Sequence, residues 1–110
     1  MSDYHLPSLS AADALVKSRD GTIHLIDVRK AQARTASSHA IAGAEWIDPY
    51  TLDHAHPVLT RSALAFFCVH GHEVSRFACA LARMHGIDAA YVGGGFAALR
   101  AAGADLEVPA

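Results

Sequence analysis

The chain has 110 residues, a formal net charge of −2 (9 Lys+Arg against 11 Asp+Glu), 52% hydrophobic and 18% charged residues. That is the composition of a packed globule of ordinary domain size, and residues 1–110 are read as one domain. It excludes a disordered chain and a disulfide scaffold, since only two cysteines are present, Cys68 and Cys79.

No basic run or stripe occurs, so nucleic acid is not an expected partner. The longest apolar run, Ala63 to Val69, is far short of the ~20 residues a membrane helix needs, and no membrane association is expected. Met1-Ser2-Asp3-Tyr4-His5 lacks the basic and apolar regions of a signal peptide. The expected location is therefore the reducing cytoplasm.

Ser10 is an N-cap with Asp13 three residues on, which predicts a helix to about Arg19, stopped by Asp20-Gly21. Thr22 to Val28 reads as a strand rich in β-branched and apolar residues. Polar residues from Arg29 to Ser38 predict a short helix or loop, and Ala44 to Ile47 a short strand closed by Asp48-Pro49. Tyr50 to Ser62 reads as a surface helical turn plus loop.

Ala63 to Val69 is continuously apolar, the pattern of a strand buried on both faces. A helix follows from about Glu73 to His85, with Val74, Phe77, Ala78, Leu81 and Ala82 on one apolar face. Cys79 falls to the side of that face and reads as structural. Ala89 to Val92 is a strand, Gly93-Gly94-Gly95 a turn, and Phe96 to Ala102 a last short helix ending at Gly103. Strands separated by helical segments predict an α/β fold with a parallel sheet.

One place has the anatomy of an active site. The buried strand ends at Cys68, the loop His70-Gly71-His72 follows, and a helix begins. Ligands in open α/β sheets bind beyond the carboxyl ends of strands. A helix start there offers free N–H groups that stabilise a thiolate. Gly71 allows the loop to curl its amides around one point.

The same residues resemble the rhodanese-like domain family. Leu25-Ile26-Asp27-Val28-Arg29 is similar to its L-[IL]-D-V-R block, and Ile41-Ala42-Gly43-Ala44 to its I-P-G-A block. The run Phe67 to Ser75 sits where the family has its cysteine loop. Gly94-Gly95-Phe96 through Arg100-Ala101-Ala102-Gly103 resembles its closing block. The resemblance implies a three-layer fold with a mainly parallel five-stranded sheet flanked by helices.

It also implies a sulfurtransferase that needs no cofactor. Cys68 would take a sulfane sulfur from thiosulfate or a persulfide donor and pass it to cyanide, a small thiol or a protein acceptor. Val69, His70, Gly71, His72, Glu73 and Val74 would form the loop cradle. Arg76 is a candidate contact for the donor's charge. Asp27 and Arg29 are read as structural support that ties loops together.

Two departures keep an alternative open: the cysteine loop carries no Arg or Lys, and Glu73 brings a carboxylate. The alternative is a non-catalytic binding module, or a sensor of redox state or of an oxyanion. Phosphatase chemistry needs an arginine six residues after the cysteine, and that position is Val74. Gly93-Gly94-Gly95 lacks the Lys-Ser/Thr of a phosphate loop. The pairs His54/His56 and His70/His72 lie in predicted loops and are read as solvated, with no metal site expected. Trp46, Tyr50, Phe66 and Phe67 are read as packing residues.

Overall fold

A computed structural model describes residues 6–60 and 63–108 of the chain. Met1–His5, together with Arg61 and Ser62 of the predicted Tyr50–Ser62 segment, lie outside the described residues.

The elements in order are β1 (Ser8–Leu9), α1 (Ala11–Arg19), β2 (His24–Asp27), α2 (Ala31–Ser37), β3 (Ala40–Ile41), β4 (Glu45–Trp46), β5 (Ala63–Phe67), α3 (Glu73–Met84), β6 (Asp88–Val92), α4 (Gly95–Ala101) and β7 (Leu106–Glu107). Two 3₁₀ turns, Pro49–Thr51 and Pro57–Thr60, precede β5. Five strands make one parallel sheet in the order β1-β6-β5-β2-β4. A separate antiparallel pair joins β3 to β7.

The local signals worked where they were expected to. Ser10 caps α1 and its side chain accepts from the Asp13 amide at 3.1 Å. β5 occupies the centre of the sheet between β2 and β6, which is why its sequence is apolar without alternation. Its side chains nonetheless divide by pleat. Leu64, Phe66 and Cys68 join the core under α3, with Ile26 and Ala78. Ala65 and Phe67 join the core under α1 and α4, with Leu15 and Leu99. The result is three layers, helix–sheet–helix.

Three expectations need correction. The Tyr50–Ser62 segment is not only surface: Leu52, Val58 and Leu59 are buried in the α3-side core. The buried face of α3 is turned from the predicted one. Ser75, Ala78, Cys79, Leu81 and Ala82 are buried, whereas Phe77 is 59% exposed. Cys79 is small enough to let the helix approach the sheet, so it lies inside the face instead of beside it. The two-residue strands β1, β3 and β7 were not predicted, because each is defined by a distant partner. Among the described residues no helix is long and apolar enough to cross a membrane.

Candidate active site

Parallel pairing sets Asp27 beside Phe67. The residues that follow β2 and β5 therefore leave the same edge of the sheet side by side. After β2 come Val28, Arg29 and Lys30; after β5 come Cys68 and its loop. They enclose a hollow of about 410 Å³. Cys68, Val69, His70, His72, Glu73 and Val74 line one side, and Arg29, Lys30 and Ala33 the other.

Cys68 is 7% exposed, at the base of this hollow. Its Sγ lies 3.3 Å from Ser75 Oγ. As a thiol it donates to that oxygen; as a thiolate it accepts from the hydroxyl. Burial pushes the Cys68 thiol up. Hydrogen bonds from the Ser75 hydroxyl and from the amides of Ser75, Gly71 and His72 outweigh burial and hold it below the ordinary thiol value. Cys79 has no such donors, and burial pushes it up to about 11, opposed by the charge of Arg83.

The residues predicted to form a cradle divide between two positions. Gly71 and His72 supply amides, Val69, His70, His72, Glu73 and Val74 line the walls, and the Ser75 amide and hydroxyl extend it beyond the predicted window. Gly71 takes φ +75, the left-handed conformation that glycine adopts without strain. A Cβ there would meet Gly94 N and Val92 O, both at 2.8 Å, so the loop rests directly on the β6–α4 turn. Phe96 N donates to Cys68 O at 2.7 Å and Ala97 N to Val69 O at 3.3 Å, which anchors the strand end.

Arg76 does not line the hollow; its guanidinium lies 5.0 Å from the centroid of the Tyr91 ring. Lys30 is the cation on the wall without an ion pair among the described residues. Arg29 is the other, and its charge is spent on Asp27, Nη2 to Oδ2 at 2.9 Å, with the two side chains 1% and 2% exposed. Arg29 Nη2 also donates to His39 O at 3.0 Å, and its guanidinium lies 4.2 Å from the Phe96 ring centroid. Trp46 Nε1 donates to Arg29 O at 2.9 Å. Asp27 and Arg29 thus link the end of β2 to His39 and Trp46.

Of the two histidine pairs, His54/His56 is split between different partners. His70 and His72 sit with ring centroids 6.5 Å apart. His54 meets His85, Nδ1 to Nε2 at 2.8 Å, and His56 Nδ1 accepts from the Val58 amide at 3.1 Å. Among the described residues no three His, Cys, Asp or Glu side chains are grouped to hold a metal ion.

Sequence reading missed Ser75 and Lys30. For Ser75 the available signal was a hydroxyl two residues inside a helix that starts straight after a strand-end cysteine loop. For Lys30 it was a cation just past the end of a strand that pairs with the cysteine's strand. Ser75→Ala is expected to slow alkylation of Cys68 at neutral pH about tenfold, since a hydrogen bond to a charged group contributes ~1.5–3 kcal/mol. The rate profile should move to higher pH, and Cys79 should stay unreactive in the folded protein. An unchanged profile, read by iodoacetamide kinetics, would remove Ser75 from the site.

Neither a protein-family model nor a curated protein matches the chain. Solved structures do. A rhodanese-related protein from Thermoplasma volcanium superposes with a TM-score of 0.69 at 20% identity, over 94% of this chain and 99% of that one. The fold is rhodanese-like. A thiosulfate sulfurtransferase from Pseudomonas aeruginosa shares the rhodanese-like fold at TM-score 0.74 and 20% identity, over 97% of this chain and 20% of that one. So does a protein of unknown function from Rhodopseudomonas palustris, described as a possible tyrosine phosphatase, at TM-score 0.75 and 24% identity over 93% of this chain and 85% of that one.

Proposed function

We propose that the protein is a sulfurtransferase that carries sulfur as a persulfide on Cys68. The observation that supports this reading best is the convergence on one sulfur of the Ser75 hydroxyl and three backbone amides, in a hollow that opens beside Lys30. Fixed donors of this kind stabilise the thiolate before reaction and the persulfide anion after it.

In the first step the Cys68 thiolate attacks the outer sulfur of thiosulfate or of an organic persulfide. The S–S bond of the donor breaks, its electron pair leaves on sulfite or on the donor thiolate, and Cys68 holds S–S⁻. In the second step an acceptor thiolate attacks the terminal sulfur. The Cys68–sulfur bond breaks, the acceptor becomes the persulfide, and the Cys68 thiolate returns. No electron enters or leaves overall, and no cofactor is called for.

Glu73 on the same wall favours organic persulfides over a dianion, and it also supports a second reading as a non-catalytic binding or redox-sensing module. Phosphatase chemistry has no support here, since Val74 stands where an arginine is needed. Intact mass separates the first two. Incubation with thiosulfate or glutathione persulfide is expected to add one sulfur atom to the wild type and none to Cys68→Ser. No added sulfur from either donor overturns the sulfurtransferase reading in favour of the binding module.

A further inference from the structure

We propose that the sulfur donor is the persulfide of a free amino-acid thiol, held at its α-carbon by Lys30 and Glu73. This names the donor within the sulfurtransferase reading and rests on it; the binding of such a ligand can be tested without sulfur transfer.

The charges on the wall of the thiol hollow set the class of ligand. Arg29 is spent on Asp27, which leaves Lys30, just after β2, and Glu73, the first residue of α3. No ion pair joins these two, and among the described residues neither has another ionic partner. A dianion is drawn to Lys30 and repelled by Glu73. An uncharged donor uses neither. A ligand that carries both a carboxylate and an ammonium satisfies both, and ligands missing one charge leave a wall group unmatched.

Depth decides where those charges belong on the donor. Cys68 is 7% exposed at the base of the hollow, whereas Lys30 and Glu73 are exposed and stand at its mouth. Ala33, Val69 and Val74 make the wall apolar. The matching donor has its sulfur at one end, a short apolar stem, and opposite charges side by side at the other end. An α-amino-acid persulfide has that order: outer sulfur, inner sulfur, methylene, then one carbon bearing both ammonium and carboxylate. Thiosulfate has no stem, and in glutathione persulfide both groups on that carbon are tied up as amides. The volume of about 410 Å³ falls within the ~300–1,000 Å³ of clefts that hold organic ligands.

The transfer balances without an outside reagent. The Cys68 thiolate attacks the outer sulfur of R–S–SH, and the donor's S–S bond breaks. The electron pair leaves on the amino acid's thiolate, which takes the proton from the new persulfide. A free amino-acid thiol departs and Cys68 holds S–S⁻.

Three donors provide the test: cysteine persulfide, its N-acetyl derivative, which lacks the ammonium, and cysteamine persulfide, which lacks the carboxylate. Loading of Cys68 is followed by intact mass at low ionic strength, each rate taken relative to the same donor's reaction with a free thiol. Each incomplete donor is expected to load about threefold to fivefold more slowly, the scale of one exposed ion pair. Lys30→Met should erase the penalty on cysteamine persulfide alone, and Glu73→Gln the penalty on the N-acetyl donor alone. Lys30 makes no side-chain cap bond to α2, so its loss costs that helix little. Ratios taken within one variant cancel any change in Cys68 reactivity. S-methylcysteine has no sulfur to transfer, and its protection of Cys68 against iodoacetamide reads binding alone. Its N-acetyl and decarboxylated analogues should need about threefold to fivefold higher concentration for the same protection. Equal loading and equal protection by complete and incomplete ligands overturn the proposal. So does a preference that survives both substitutions, or dependence on one of the two charges only. If no donor loads Cys68, the sulfurtransferase reading fails while protection still decides the ligand class.

Discussion

Gly95→Ala is expected to slow alkylation of Cys68 at neutral pH by about a hundredfold, the scale of losing a preorganised donor. Gly95 sits at φ +59, and a Cβ there would lie 2.3 Å from Cys68 O, 2.7 Å from Gly71 N and 2.8 Å from Val69 C. All three are backbone atoms, so no side chain can swing aside. Either the cysteine loop or the β6–α4 turn has to move. Movement loosens the bonds from Phe96 N and Ala97 N that hold the loop, and displaces the Gly71 amide aimed at the sulfur. The pH–rate profile should shift upward with the loss of the cradle. Gly103→Ala is the control: Gly103 also has positive φ, +95, but nothing lies within 4 Å of the added carbon. It should carry only the left-handed penalty of ~1–2 kcal/mol and leave Cys68 reactivity unchanged. A Gly95→Ala protein with the wild-type profile would show that the turn does not shape the site.

Arg29→Leu should destabilise the fold by about 3–5 kcal/mol, the range for breaking a buried ion pair from one side. A domain of this size has only ~5–15 kcal/mol in total. The substitution leaves the Asp27 carboxylate charged in a place where it is 2% exposed, strips His39 O of its donor and removes the cation from the Phe96 ring. The second half of the pair makes the cause testable. Asp27→Asn removes the charge, yet its side-chain oxygen can still accept from the backbone amide of residue 29, as Asp27 Oδ1 does at 2.9 Å. The double variant Asp27→Asn, Arg29→Leu should therefore recover much of the loss in urea denaturation. If the single substitution costs less than about 1 kcal/mol, the ion pair is not what ties these loops.

Legibility of the sequence followed the range of the interactions. The Ser10–Asp13 cap, the apolar β5 and the glycine loop after Cys68 are local, and each appeared where the residues implied. β1, β3 and β7 are two residues each, and their partners lie far along the chain: Ser8 pairs with Tyr91 and Ala40 with Glu107. No period of two residues can announce them. The face of α3 was misread because hydrophobicity alone ranks Phe77 above Ser75. The fold instead buries Ser75, whose hydroxyl is satisfied by the thiol, and leaves Phe77 outside. At the site, Cys68 and the amides of its own loop were legible from one stretch of chain. Lys30 was not, since only the register of β2 against β5 brings it to Cys68. Arg76 looked suitable by proximity in sequence, but its helical phase sends it to Tyr91.

The support of Cys68 by the β6–α4 turn has a consequence during biosynthesis. Ribosomes add about 5–20 residues per second, so Cys68 exists for about 1–5 s before Gly95 and Phe96 are joined to the chain. Through that interval its carbonyl lacks the Phe96 amide and its loop has no floor. The packing that fixes the cysteine loop is therefore complete only after the β6–α4 turn has been made and has folded against it. Chain order thus delivers the support of the cysteine loop after the loop itself.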